Sequence, residues 1–234
     1  MLMKVCGMRE AENIREVTAL NVDMMGFVFW PESPRYVQMI SAQAGIIPDY
    51  SEERLRMNQG KCVATGSLKN QPKRVGVFVD DMPQNIVTRV FNYSLDYIQL
   101  HGDEPRETCE NLRLTLDPDI RPGIKIIKAV SISAVGDFDR CAAYRGAVDM
   151  FLFDIKRKAA GGSHERFDWS VLRQYDGDIP FILGGGIGPD DTEDVKALRH
   201  PMLAGVDLDS RFEVKPGVKD VEKLRRFIQA VREK

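Results

Sequence analysis

The sequence is short of the residues that build metal sites and disulfides. Its 234 residues include three histidines and four cysteines. His101, His164 and His200 stand far apart, so no HxH or HxxxH pair is available and no metal site is expected. Cysteines 6, 62, 109 and 141 never form a CxxC pair, and a chain of this length builds its core without disulfides. Reduced thiols and a cytoplasmic location are therefore expected. No apolar run approaches a membrane span, and the N-terminus lacks the apolar core of a secretory signal, so no membrane partner is expected. Neither sign of charge dominates. The 33 Lys and Arg nearly balance 35 Asp and Glu, for a net charge of −2, which excludes a global polyanion-binding surface and predicts no nucleic-acid partner. Local basic residues can still hold a small anion. Also missing are a Walker loop, a GxGxxG turn after a first strand and a Ser-His-Asp order.

What is present is an alternation. Short β-branched runs occur at 3–6, 24–29, 74–79, 97–100, 124–130, 150–153, 180–183 and 204–208. Between and after them lie stretches with helical periodicity near 9–20, 41–57, 83–92, 105–116, 134–145, 169–175, 190–199 and 219–232. The last carries Val221, Leu224, Phe227, Ile228 and Val231 as one apolar stripe. Strands alternating with helices imply parallel pairing through crossovers, either in a doubly wound sheet or in a barrel. Eight nearly equal units without a break favour an α/β fold of one domain, a (β/α)₈ TIM barrel over 1–234. The exception is a polar stretch at about 45–72, read as an extended loop after the second strand.

A barrel directs attention to the carboxyl ends of its strands. The seventh ends in "FILGGGIGPDD", where Gly185 and Gly186 can turn backbone N–H groups toward a phosphate. The eighth ends in "GVDLDSRFE", where Ser210 can join them and Arg211 is a candidate compensating cation. Asp207 and Asp209 would repel a phosphate and read as loop caps. Asp154 after "MFLF" is either a cap or a general acid. Arg35, stiffened by Pro31 and Pro34, can fork onto a carboxylate or pair with Glu32. His101 in "QLHGDE" is either a hydrogen-bonding group at the mouth or a structural histidine. Cys6 and Gly7 end the first strand. A helix starting just after Gly7, or a nearby cation, would lower the thiol's pKa.

Taken in order, "KVCG", "GFVFWPESPRYV", "RVGVFVD", "IQLHGDE", "FLFDIK…GGSHERFDWSVL", "PFILGGGI" and "VDLDSRFEVKPGVKD" resemble the phosphoribosylanthranilate isomerase family of tryptophan biosynthesis. The resemblance runs along the chain except at 45–72. It implies an Amadori rearrangement of N-(5-phosphoribosyl)anthranilate to 1-(2-carboxyphenylamino)-1-deoxyribulose 5-phosphate, without metal or organic cofactor. It implies Cys6 as base, Asp154 as acid, Arg35 on the anthranilate carboxylate, and Gly185, Gly186 and Ser210 on the phosphate. The partner it implies is a small phosphorylated substrate. Monomer and homodimer remain open. The chain departs from the family pattern at Ile155 (usually Thr), His164 (usually Gly), Gly184 (usually Ala or Ser), and Asp209 and Arg211 (usually Ser and Gly). Two other readings stand beside it: a different sugar-phosphate enzyme on the same barrel, or a non-catalytic barrel that binds a phosphorylated ligand.

Overall fold

The computed structural model describes residues 1–38, 71–155 and 169–233. Eight parallel strands close into a barrel in chain order. They are β1 (Leu2–Val5), β2 (Met24–Val28), β3 (Lys73–Phe78), β4 (Tyr97–Leu100), β5 (Lys125–Ile132), β6 (Met150–Ile155), β7 (Phe181–Gly184) and β8 (Leu203–Leu208). Closure comes from β1 beside β8, with Lys4 opposite Asp207. Every expected strand is present, with its ends displaced by at most two residues. One displacement matters: β6 runs on to Ile155, so Asp154 belongs to the strand and points along its inward row. The expected helix at 41–57, most of the 45–72 stretch, Cys62 and His164 lie outside the described residues.

The two-residue period of a strand sorts each sequence into two faces. Met3, Val5, Met25, Phe27, Phe151, Phe153 and Leu183 face outward into the main apolar layer beneath the helices. Met24, Val75, Ile127, Leu152 and Ile182 face inward and fill the barrel. At roughly 1.5–3 kcal/mol per fully buried large apolar side chain, the more populous outer layer dominates the fold's stability. The inward rows end in polar groups: Cys6 after Lys4, His101 after Gln99, Asp154 after Leu152. Period and topology together therefore gather one thiol, one imidazole and one carboxylate at the same rim.

Among the described residues five α-helices cover the barrel: α1 (Ala11–Thr18), α2 (Pro83–Tyr93), α3 (Arg106–Leu116), α4 (Thr192–Ala197) and α5 (Val221–Arg232). In α5 the Asp220 side chain accepts from the Lys223 N–H at 3.0 Å and caps the helix, while Leu224, Phe227 and Ile228 are buried. Two expected helices are instead 3₁₀ segments, Val135–Tyr144 and Trp169–Gln174. Their apolar anchors recur every third residue (Phe138, Cys141 and Tyr144; Leu172 and Tyr175), which suits the tighter helix. The expected helix at 190–199 is a 3₁₀ turn, Pro189–Asp191, followed by the short α4. Cys109 and Cys141 are buried. A hairpin of β9 (Glu213–Lys215) and β10 (Val218–Lys219), turning at Gly217 with φ +82°, was not anticipated.

Candidate active site

A cavity of about 390 Å³ opens at the carboxyl ends of the strands, and all seven residues expected at the site line it: Cys6, Arg35, His101, Asp154, Gly185, Gly186 and Ser210. Cys6 is anchored through its backbone N–H, which donates to Leu208 O at 2.9 Å. Gly26 on β2 makes room for the sulfur, since a Cβ there would stand 2.7 Å from Sγ. Gly7, at φ +72°, turns the chain away, and a Cβ on it would meet Arg35 Cδ at 2.5 Å. The expected helix N-terminus beside Cys6 is not there, because α1 begins only at Ala11. The nearby cation is: Lys4, buried, two residues earlier on the same inward row. Burial pushes the Cys6 thiol up to about 12, with Lys4 pulling against it.

Asp154 lies on the inward row of β6, in register with Ser131 on one side and Gly184 on the other. His101 Nε2 stands 3.6 Å from Asp154 Oδ2. On its other edge, His101 Nδ1 meets Gln99 Nε2 at 3.0 Å. When that amide donates, Nδ1 accepts and the ring proton sits on Nε2, facing the carboxyl group. The loop carrying His101 is fixed from below by Glu104, which accepts from Gly102 N–H at 3.0 Å and Asp80 N–H at 2.9 Å and pairs with buried Lys128 at 3.0 Å.

At the next part of the rim, Arg35 pairs with Glu213 rather than with Glu32. Its Nε and Nη2 donate to the two carboxylate oxygens at 2.8 and 2.6 Å. Nε also lies 3.1 Å from Asp209. Lys219, fully buried, binds Asp209 at 2.6 Å and Glu213 at 2.7 Å. Two cations and two carboxylates thus form one closed network. Among the described residues no hydrogen bond uses Arg35 Nη1, the edge left for a ligand. Asp209 is therefore an ion-pair partner and not a loop cap. The same correction applies to Asp207, whose Oδ2 accepts from Lys4 Nζ at 2.7 Å.

Gly185 and Gly186 take φ of +91° and +78°, the left-handed conformation that turns their peptide planes outward. A Cβ on Gly185 would run into the backbone of Ile155. The Gly188 N–H is already taken by Asp191 Oδ2 at 2.7 Å. Ser210 opens the short turn Ser210–Phe212 on the facing side. Arg211 is exposed and folds over Gly188, where a Cβ would stand 3.1 Å from its Nε.

Comparison with known proteins agrees with this geometry. Residues 51–230 match the family model for N-(5'-phosphoribosyl)anthranilate (PRA) isomerase. The N-(5'-phosphoribosyl)anthranilate isomerase of Parabacteroides distasonis is 43% identical over 231 residues, covering 99% of this chain and 93% of that protein. The chain belongs to the phosphoribosylanthranilate isomerase family. Among solved structures, the phosphoribosyl anthranilate isomerase of Thermotoga maritima superposes with a TM-score of 0.74 at 30% identity, covering 99% of this chain and 98% of the other. A second isomerase structure, in complex with reduced 1-(o-carboxyphenylamino)-1-deoxyribulose 5-phosphate, superposes at 0.72 with 28% identity and the same coverage. These neighbours are barrels, as this chain is. No helix among the described residues is long and apolar enough to cross a membrane.

Sequence reasoning overlooked Lys4, Gln99, Glu213 and Lys219. The strand period alone puts Lys4 and Gln99 inward once Cys6 and His101 are placed. Glu213 carries no local signal, because its partner Arg35 is far away in sequence, and Lys219 gains meaning only once Asp209 and Glu213 are seen to meet it.

Proposed function

We propose that this chain isomerises N-(5-phosphoribosyl)anthranilate to 1-(2-carboxyphenylamino)-1-deoxyribulose 5-phosphate. The observation that carries it is the meeting of Cys6 and Asp154 in one cavity, with a guanidinium edge at Arg35 and a positive-φ glycine turn at Gly185–Gly186 also on its wall. The family membership and the analogue bound in a related structure support the substrate class.

In this reading Arg35 Nη1 takes the anthranilate carboxylate, as a guanidinium suits a planar anion. Gly185, Gly186 and Ser210 take the phosphate. Asp154 gives its proton to the furanose ring oxygen as the aniline nitrogen opens the ring to an iminium. His101, 3.6 Å from Asp154, orients the carboxyl group. Cys6 as thiolate removes the C2 proton, and the electron pair left behind neutralises the iminium to give an enolamine. Tautomerisation moves a proton from the C2 hydroxyl oxygen to C1 and yields the ketose. The iminium charge itself acidifies C2, so these steps ask for no metal or organic cofactor. The free thiols Cys6, Cys109 and Cys141 support a reducing, cytoplasmic location.

The test is to add the purified chain to freshly prepared N-(5-phosphoribosyl)anthranilate and follow the mixture by carbon NMR. Appearance of a C2 ketone signal with loss of the anomeric C1 signal is expected. Unchanged substrate, or a product of another class, contradicts the assignment.

A further inference from the structure

Only the thiolate can take a proton, and burial disfavours it at Cys6. Something in the site has to favour its ionised form. The helix N-terminus that often does this is absent here, since Met8, Arg9 and Glu10 separate Gly7 from the start of α1 at Ala11. The remaining source is charge, and its placement is specific. Lys4, on the inward face of β1, and Cys6, the residue that follows that strand on the same inward row, are 0% and 6% exposed. Among the described residues Lys4 Nζ has one carboxylate partner, Asp207, at 2.7 Å across the β1–β8 pairing.

We propose that Lys4, fixed by Asp207, is a positioning residue for the reaction: its ammonium stabilises the Cys6 thiolate, and Asp207 sets how strongly it does so. The inference rests on Cys6 being the base. The thiol proton leaves to water at the open mouth, and the ammonium keeps its own.

Two observations set this apart from a purely structural ion pair. First, a buried ammonium and carboxylate contribute less to stability than apolar side chains of similar size, so the pair is a costly way to fill a barrel. Second, Asp207 is not saturated. Its Oδ1 is buried with no hydrogen-bond partner among the described residues, while Oδ2 alone holds Lys4. The other charges around the sulfur are Asp209, from the turn after β8, Lys219 from β10, and Arg35 from the loop after β2. These bind one another at 2.6–3.1 Å. Lys4 is the strongest of the charges that pull the Cys6 thiol toward ionisation, and the charge influence runs both ways, since Cys6 and Asp207 hold the Lys4 ammonium above its ordinary range against burial.

The test is the rate of Cys6 alkylation by iodoacetamide between pH 7 and 10, located by peptide mass spectrometry. It needs no substrate and no turnover. Relative to the unaltered protein at pH 8, Lys4→Met is expected to slow alkylation at least tenfold, and Asp207→Asn to speed it several-fold. Lys4→Arg should recover most of the rate. A merely structural pair would shift both variants in the same direction. Equal rates in Lys4→Met and the unaltered protein, or shifts of one sign in both single variants, overturn the proposal. If Lys4→Met does not fold, the neutral double variant Lys4→Met/Asp207→Asn carries the test. It should alkylate more slowly than the unaltered protein, and equal or faster alkylation refutes the role. Near-full turnover by Cys6→Ser would instead remove Cys6 as base while leaving the alkylation result standing.

Discussion

The Arg35 guanidinium and the Glu213 carboxylate face each other through two hydrogen bonds, Nε to Oε1 at 2.8 Å and Nη2 to Oε2 at 2.6 Å. The pair fastens the loop after β2 to the first strand of the hairpin. It also aims the remaining edge of Arg35. Glu213→Ala removes one anion from above the buried Lys219 and leaves that ammonium with Asp209 alone. Loss of one partner from a buried pair typically costs about 3–5 kcal/mol. Glu213→Ala should lower the unfolding free energy by an amount near the low end of that range, read as a lower urea midpoint. It should also raise KM about tenfold with a smaller effect on kcat. An unchanged KM in a folded variant would separate Glu213 from ligand binding.

Gly185 sits at φ +91°, with the Ile155 backbone where a side chain would go. Gly185→Ala therefore meets both a conformational cost of about 1–3 kcal/mol and a steric one. The expected result is a KM increase of at least tenfold and weakened competition by inorganic phosphate. If Gly185→Ala binds phosphate as the unaltered protein does, the turn is not the phosphate site.

Acid should unfold the protein through identifiable carboxylates. Burial raises the Asp149 pKa, but Arg113, the Ile126 N–H and Lys125 outweigh it and hold Asp149 below its ordinary value. Glu213 is likewise lowered, with burial opposed by Arg35 and Lys219. Groups depressed in the folded state stabilise it above their unfolded pKa, near 4, and that stabilisation is lost as pH falls through the folded pKa. Urea midpoints should hold from pH 7 to about pH 5 and drop steeply below about pH 4. Asp149→Asn should flatten part of the drop, and an identical acid limb in that variant would contradict the assignment.

At high pH the sign reverses. Burial pushes Cys6 and Cys141 up to about 12 and Cys109 up to about 11, from an ordinary 9.0. The folded state then keeps protons that the unfolded chain releases. Stability is full below pH 9 and is lost as pH rises toward the folded values. Urea midpoints at pH 8 and pH 10.5 should differ in that direction. Cys109→Ala should reduce the difference.

Much of the site was legible because chemistry-bearing residues stand at strand ends, where local motifs and the two-residue period both speak. Cys6, Asp154 and His101 follow from that pattern, and Gly185 and Gly186 from the glycine run. Arg35 was legible as a fork, but its partner was not. Glu213 is 178 positions away, and only closure of the barrel brings them together. Asp207 and Asp209 misled for the same reason: a carboxylate in a loop reads as a cap until its cation is seen. The 3₁₀ segments were read as α-helices because an apolar residue every third position fits either period over ten residues. The β9–β10 hairpin was too short for periodicity to register, although its Pro216-Gly217 step marks a turn.

The most direct measurement compares steady-state turnover of N-(5-phosphoribosyl)anthranilate by the unaltered chain, Cys6→Ser and Asp154→Asn, each shown to be folded by circular dichroism. Loss of a general base or acid costs about 10²–10⁴-fold, so kcat should fall by that factor in each variant while KM changes little. Near-full kcat in both variants would contradict the assignment of base and acid to these two residues.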